Sequence, residues 1–180
     1  IDGVTTNPTL IRKSGRDPEE VYQQLIDYGI NDISMEVVGD YNTMFEEGVR
    51  LSRKFGKACT IKVPCTPDGL RVCRELSRDL VNVNVTLIFS AAQAILAAKS
   101  GAKYVSPFVG RVDDNSFNGI ELIEQISDIY TIQNVHKTEI LSASIRDVKS
   151  VSDSFASGAH VVTMPPTVFE KMYNHVLTDK

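Results

Sequence analysis

The chain has 180 residues, 42% hydrophobic and 23% charged, enough for one sizeable core and too few for two ordinary domains. A net charge of −4 with scattered basic residues repels a phosphate polymer, which argues against a nucleic-acid partner. No apolar run approaches the roughly 20 residues of a membrane span, and Ile1-Asp2-Gly3-Val4 lacks the basic and apolar regions of a signal peptide, so a cytoplasmic location with no membrane partner is expected.

In chain order, short β-branched runs fall at Gly3 to Thr6, Asp32 to Val38, Cys59 to Val63, Val83 to Phe89, Tyr104 to Val109, Glu139 to Ser144 and His160 to Met164, which predicts seven strands. Helical spacing fills the gaps, as with Val21, Leu25 and Ile26, or Ile120, Ile123, Ile126 and Ile129. Asp17-Pro18 predicts an N-cap followed by Pro in the first turn. Such alternation specifies an α/β chain with parallel strands and right-handed crossovers, either a barrel or an open doubly wound sheet. Residues 1–180 are read as a single domain.

Parity within the strands chooses between the two architectures, because residues two apart face the same side. Ile33, Met35 and Val37 oppose Ser34 and Glu36; Ile61 and Val63 oppose Thr60 and Lys62; Val83, Val85 and Leu87 oppose Asn84 and Thr86. Val105 and Val109 oppose Ser106 and Phe108, and Leu141, Ala143 and Ile145 oppose Ser142, Ser144 and Arg146. Strands covered by helices on both faces read as continuous apolar runs, whereas one apolar and one polar face suits a parallel (β/α) TIM barrel.

Lys62, in Thr60-Ile61-Lys62-Val63-Pro64, sits at the end of its strand, with Thr66-Pro67-Asp68-Gly69 expected as a turn just beyond. That is the catalytic rim of a barrel, where a neutral lysine amine attacks a carbonyl. On the pattern alone, a snorkelling lysine or a structural ion pair with Glu36 stands beside that reading. Glu36, at the end of the preceding strand, suits proton relay through a water held by Thr86, or simply neutralises Lys62. Asn7, Asn84 and Ser106 suit a polyhydroxylated ligand, or satisfy one another. Arg111 and Arg146, the latter just past Ser142-Ala143-Ser144, offer forks for a phosphate, or form surface ion pairs. Cys59, Cys65 and Cys73 match no zinc spacing and read as buried reduced thiols, and the three isolated histidines suggest no metal site.

Five segments together resemble the transaldolase family, especially its short microbial branch. They are Asp2-Gly3-Val4-Thr5-Thr6-Asn7-Pro8-Thr9-Leu10-Ile11, Ile61-Lys62-Val63-Pro64, Asn84-Val85-Thr86-Leu87-Ile88-Phe89-Ser90, Val105-Ser106-Pro107-Phe108-Val109-Gly110-Arg111 and Ser142-Ala143-Ser144-Ile145-Arg146. The resemblance implies a class I transferase of the pentose phosphate pathway that needs no cofactor. In it Lys62 forms a Schiff base with a ketose phosphate (sedoheptulose 7-phosphate or fructose 6-phosphate) and passes a dihydroxyacetone unit to an aldose phosphate (glyceraldehyde 3-phosphate or erythrose 4-phosphate). By the same resemblance Asn7, Asn84 and Ser106 hold the three-carbon unit, and Thr5 and Phe108 are also substrate-binding. Glu36 and Thr86 position a proton-carrying water, and Arg111, Ser144 and Arg146 grip the phosphate. A homo-oligomer, pentamer or decamer, is also implied.

The family carries an acidic residue on a first barrel strand, in a segment resembling Leu-Asp-Thr-Ala, ahead of the position where this sequence begins. It also continues past a segment resembling Thr178-Asp179-Lys180 into a C-terminal helix. The expectation is therefore a barrel lacking its first strand–helix unit and that helix, with a gap between the strands of Val4-Thr5-Thr6 and Val161-Val162-Thr163. The nearest alternative is fructose-6-phosphate aldolase, in which the positions of Glu36 and Phe108 resemble Gln and Tyr; a non-catalytic sugar-phosphate-binding barrel or inactive fragment is an alternative of another class.

Overall fold

The computed structural model describes residues 1–178; Asp179 and Lys180, the end of the segment at which the family's C-terminal continuation is expected, lie outside the described residues. In chain order the elements are β1 (Val4–Thr5), α1 (Pro8–Ser14), α2 (Pro18–Asp27), β2 (Ile33–Glu36), α3 (Tyr41–Phe55), β3 (Cys59–Pro64), α4 (Pro67–Arg78), β4 (Asn82–Ile88), α5 (Ala91–Lys99), β5 (Tyr104–Pro107), α6 (Val109–Asp114), α7 (Gly119–Ile132), β6 (Glu139–Ser142), α8 (Val148–Ala156), β7 (Val161–Val162) and α9 (Pro166–Lys171). Every predicted strand is present; β3 runs one residue past its predicted end and β4 is shifted back by one, while the other five are shorter than their β-branched runs. Residues gather into two compact units, Ile1–Thr86 with Leu96–Lys103, and Leu87–Ile95 with the chain from Tyr104 onward.

In the first unit β1 to β4 lie side by side in chain order, each ladder parallel. Ile33 pairs with Cys59, Glu36 with Lys62, and Lys62 with Asn84. Alternation therefore carries straight across the strands: Ile33, Met35, Ile61, Val63, Val83 and Val85 are fully buried on one face, while Ser34, Glu36, Thr60, Lys62, Asn84 and Thr86 share the other. Each buried aliphatic contributes about 1.5–3 kcal/mol. Met44, Gly48, Leu51 and Phe55 of α3 and Val72, Cys73 and Leu76 of α4 are the buried residues of those helices.

Local chemistry places the helices. Asp17 accepts from the Glu19 and Glu20 amides and Pro18 follows, as the sequence predicts; Asp40 caps α3 through the Thr43 amide. Each such cap is worth about 1 kcal/mol. Thr66-Pro67-Asp68-Gly69 is not a separate turn but the N-cap and first turn of α4, with Thr66 Oγ1 accepting from the Gly69 amide at 3.1 Å. Gly69 is required there, since a Cβ would lie 2.0 Å from the Pro64 carbonyl oxygen.

In the second unit β5, β6 and β7 run parallel in chain order, with Val105 opposite Ile140 and Ser142 opposite Val162. In α7 the buried stripe is Gly119, Leu122, Ile123, Ile126 and Tyr130, so Ile120 and Ile129 of the predicted set lie at its margins. Consecutive strand order in each unit fits a (β/α) barrel and lacks the reversal of a doubly wound sheet. Among the described residues no helix is long and apolar enough to cross a membrane.

Parity fails in two places. Leu87 adopts a left-handed backbone with φ of 60°, so Ile88 takes the buried position and Leu87 is only half-buried. In β6 the expected polar face is reversed: the Ser142 hydroxyl lies 2.9 Å from that of Ser154 on α8, which puts Ser142 with Ile140 on the helix side. Ser142 and Ser154 satisfy each other, so a polar residue survives under a helix without facing a ligand. The predicted strand to Val109 also ends early, at Pro107, because Val109 opens α6.

All three cysteines are reduced, but Cys65 is half-buried rather than buried. Burial pushes the Cys59 thiol up to about 12, with the Asp32 charge adding to it, and the Cys73 thiol up to about 11 despite a hydrogen bond with Ser77. Native Cys59 and Cys73 keep their protons above about pH 8.5, where the unfolded chain releases them, so their contribution to stability is full below that pH and is lost as pH rises through 11–12. Iodoacetamide at pH 8 should label Cys65 first and reach the other two only on unfolding, which peptide mass mapping reads directly; equal labelling in the native protein would contradict this burial.

Candidate active site

In the first unit, the paired register of β2, β3 and β4 sets Glu36, Lys62 and Asn84 in one row, with Ser34 one step back on β2 and Thr86 one step on along β4. Lys62 is 7% exposed. Its Nζ lies 2.9 Å from Glu36 Oε2 and donates to the Thr6 carbonyl at 2.9 Å. Two acceptors thus hold the amine in place at the strand end, in a setting where a lone ammonium would be costly. The Asn84 amide reaches back over β3 to donate to Ser34 Oγ at 3.1 Å. One step on along β4 the Thr86 hydroxyl is buried with no hydrogen-bond partner among the described residues. Buried hydroxyls are almost always paired, so an orphan on this face marks a position fitted to a ligand or water.

Thr5 pairs with Ser34 in register and shares the face of that row. Asn7 caps α1, its Oδ1 accepting from the Leu10 amide at 2.9 Å, which commits its oxygen to structure. Thr6 was not among the residues singled out by sequence. Its contribution is a backbone carbonyl, which side-chain chemistry does not reveal, while its hydroxyl donates to the Ser34 carbonyl at 2.8 Å.

The second unit holds the remaining candidates. Ser106 is buried on β5, on the face opposite Val105. The Phe108 ring meets that of Phe89 edge-on at 5.8 Å, and the Arg111 guanidinium stands 4.9 Å from the Phe108 ring and 5.9 Å from that of Phe89. The Gly110 amide donates to the Ser144 carbonyl at 3.2 Å, and a Cβ on Gly110 would lie 2.9 Å from Arg146 Nε. Ser144 has φ of 60°, a left-handed turn between β6 and Arg146. The structure therefore gathers Phe108, Gly110, Arg111, Ser144 and Arg146 into one cluster. Sequence reading missed its anion: Asp114 pairs with Arg146 through both carboxylate oxygens. The Arg146 hydrogen bonds hold the Asp114 carboxyl below its usual range, and the charges of Arg146 and Arg111 add to this.

A buried lysine against a glutamate on neighbouring strand ends, in a parallel β/α chain, fits a structural ion pair and an active-site amine alike. A family model described as transaldolase/fructose-6-phosphate aldolase matches residues 1–180. The chain belongs to that family. A "probable transaldolase" of Paracoccus denitrificans is 53% identical, aligned over 100% of this chain and 82% of its own length. One from Nitrosopumilus maritimus is 49% identical over 99% of this chain and 80% of its own. Together these support an enzyme of the transaldolase or aldolase type. Among solved structures, a mutant flavocytochrome b2 with pyruvate bound superposes with a TM-score of 0.65 at 15% identity, over 83% of this chain and 46% of that one, a likeness of fold alone.

Proposed function

We propose that this member of the transaldolase family transfers a dihydroxyacetone unit between sugar phosphates through a Schiff base on Lys62. The observation that carries the reading is the strand-end amine fixed at 2.9 Å from Glu36, on the same sheet face as the orphaned Thr86 hydroxyl one step further along β4. Lys62 Nζ adds to the C2 carbonyl of fructose 6-phosphate or sedoheptulose 7-phosphate, and the carbonyl oxygen leaves as water once it has taken up protons. Deprotonation of the C4 hydroxyl then breaks the C3–C4 bond. The electron pair moves into the iminium, leaving a three-carbon enamine and a departing aldose phosphate. The enamine attacks the aldehyde of the acceptor, and hydrolysis frees Lys62. Glu36 carries protons to and from these groups through a water also bound by the Thr86 hydroxyl.

Asn84, Ser106 and the Asn7 amide group are assigned to the three-carbon unit, Thr5 and Phe108 to the substrate site around it, and Arg111, Ser144 and Arg146 to the phosphate, by the family pattern. A homo-oligomeric, cytoplasmic enzyme of the pentose phosphate pathway is the setting that goes with this reading. Glu36 and Phe108 favour transfer over release of free dihydroxyacetone. Incubation with fructose 6-phosphate and erythrose 4-phosphate should yield sedoheptulose 7-phosphate. Free dihydroxyacetone as the main product would instead make the protein an aldolase, and no turnover of either kind would favour a binding role.

A further inference from the structure

The second unit already holds an anion against one of the guanidinium groups assigned to phosphate. A guanidinium can fork an anion along more than one edge. On Arg146 the Nε side is packed against Gly110, where a Cβ would come within 2.9 Å, and the Nη1 and Nη2 groups both engage Asp114. The open side of Arg146 is therefore the side that Asp114 occupies. Asp114 lies three residues beyond Arg111 on α6, close enough for the Arg111 charge to act on its carboxyl. Its neighbour Asp113 is committed elsewhere, its Oδ1 accepting from the Gly119 amide at 2.8 Å.

We propose that Asp114 is a displaceable internal anion that determines which ligands Arg146 admits. It fills the phosphate position in the free protein and yields it to the phosphate of a sugar phosphate. This rests on the assignment of Arg111, Ser144 and Arg146 to phosphate binding. Both partners of the ion pair are about half exposed, at 55% and 46%, and an exposed pair of this kind opens at little cost. A phosphate monoester brings about −1.5 to −2 charges and three acceptor oxygens against the single charge of a carboxylate. Exchange with Asp114 thus favours phosphate, whereas a competing carboxylate gains nothing over the one already bound. The device discriminates against acidic metabolites of similar size without a steric barrier.

The test is calorimetric titration of the parent protein, Asp114→Asn, Asp113→Asn and Arg146→Ala with inorganic phosphate and, separately, with acetate, after thermal unfolding shows that each variant is folded. Asp114→Asn should bind phosphate about two- to fivefold more tightly, the factor that releasing an exposed ion pair provides, and should gain measurable acetate binding. Asp113→Asn should change affinity by less, since it removes a charge without vacating the fork. Arg146→Ala should lose about tenfold or more. Equal or weaker phosphate binding by Asp114→Asn, or an equal gain from Asp113→Asn, while Arg146→Ala has lost affinity, overturns the role of Asp114 and leaves the phosphate site standing. Undiminished binding by Arg146→Ala, or no phosphate binding by parent and Asp114→Asn alike, removes the phosphate site and this proposal with it.

Discussion

Lys62→Met should abolish imine formation and lower turnover by about 10³-fold or more, the scale on which loss of a covalent nucleophile is felt. The thioether has nearly the length and volume of the lysine side chain and removes only the amine. In an active preparation of the parent, borohydride reduction in the presence of fructose 6-phosphate should fix the sugar on the peptide containing Lys62, and mass mapping should show no such adduct in the variant. Lys103, another lysine held to a carboxylate in the first unit, serves as an internal comparison: it lies 2.8 Å from Asp32 Oδ2, whose partner oxygen accepts from Thr60. Asp32 and Lys103 precede the strands β2 and β5, at the opposite end from Glu36 and Lys62. An adduct on Lys103, or full turnover by Lys62→Met, would end the assignment of Lys62.

Why the first unit was so legible in the sequence is a matter of its register. With Glu36, Lys62 and Asn84 in direct registry, a period of two read separately in each strand predicts a common polar face, and no long-range information is needed. The second unit was less legible because its strands end in non-periodic backbone. Phe108 and Val109 continue a β-branched run, yet Val109 N donates to the Ala143 carbonyl as the first residue of a helix. Had α6 been recognised, the three-residue spacing of Arg111 and Asp114 would have placed a carboxylate beside the arginines. The left-handed residues Leu87 and Ser144 are equally hard to foresee, since neither is a residue type that favours positive φ. Leu87 is the last residue but one of β4 and Ser144 lies two residues past the end of β6, and at both the backbone leaves the strand period. Ser142 misled for a different reason: a serine that pairs with another serine under a helix looks, in sequence, the same as one that faces a ligand.

Glu36 separates the catalytic reading of the Lys62 pair from a purely structural one. Glu36→Ala leaves an ammonium 8% exposed beside the Thr6 carbonyl without its carboxylate, which should cost about 3–5 kcal/mol, the usual loss when one member of a buried pair is removed. For a chain of this size that corresponds to a fall of about 6–20 °C in Tm. Glu36→Gln keeps an oxygen for Lys62 and should be milder in stability, yet it can no longer take up a proton, so turnover should fall by about 10²-fold or more. The double variant Lys62→Met with Glu36→Leu replaces both charges by apolar groups of similar volume and should regain most of the stability that either single change loses, while remaining inactive. Thermal unfolding and turnover measured on the same preparations give both readouts. A double variant no more stable than Glu36→Ala would show that the loss lies in packing rather than in the stranded charge. Full activity in Glu36→Gln would free Glu36 of any proton role and leave it as the counter-ion of Lys62, and a shift of products in that variant toward free dihydroxyacetone would show that the carboxylate is what holds the enamine for transfer.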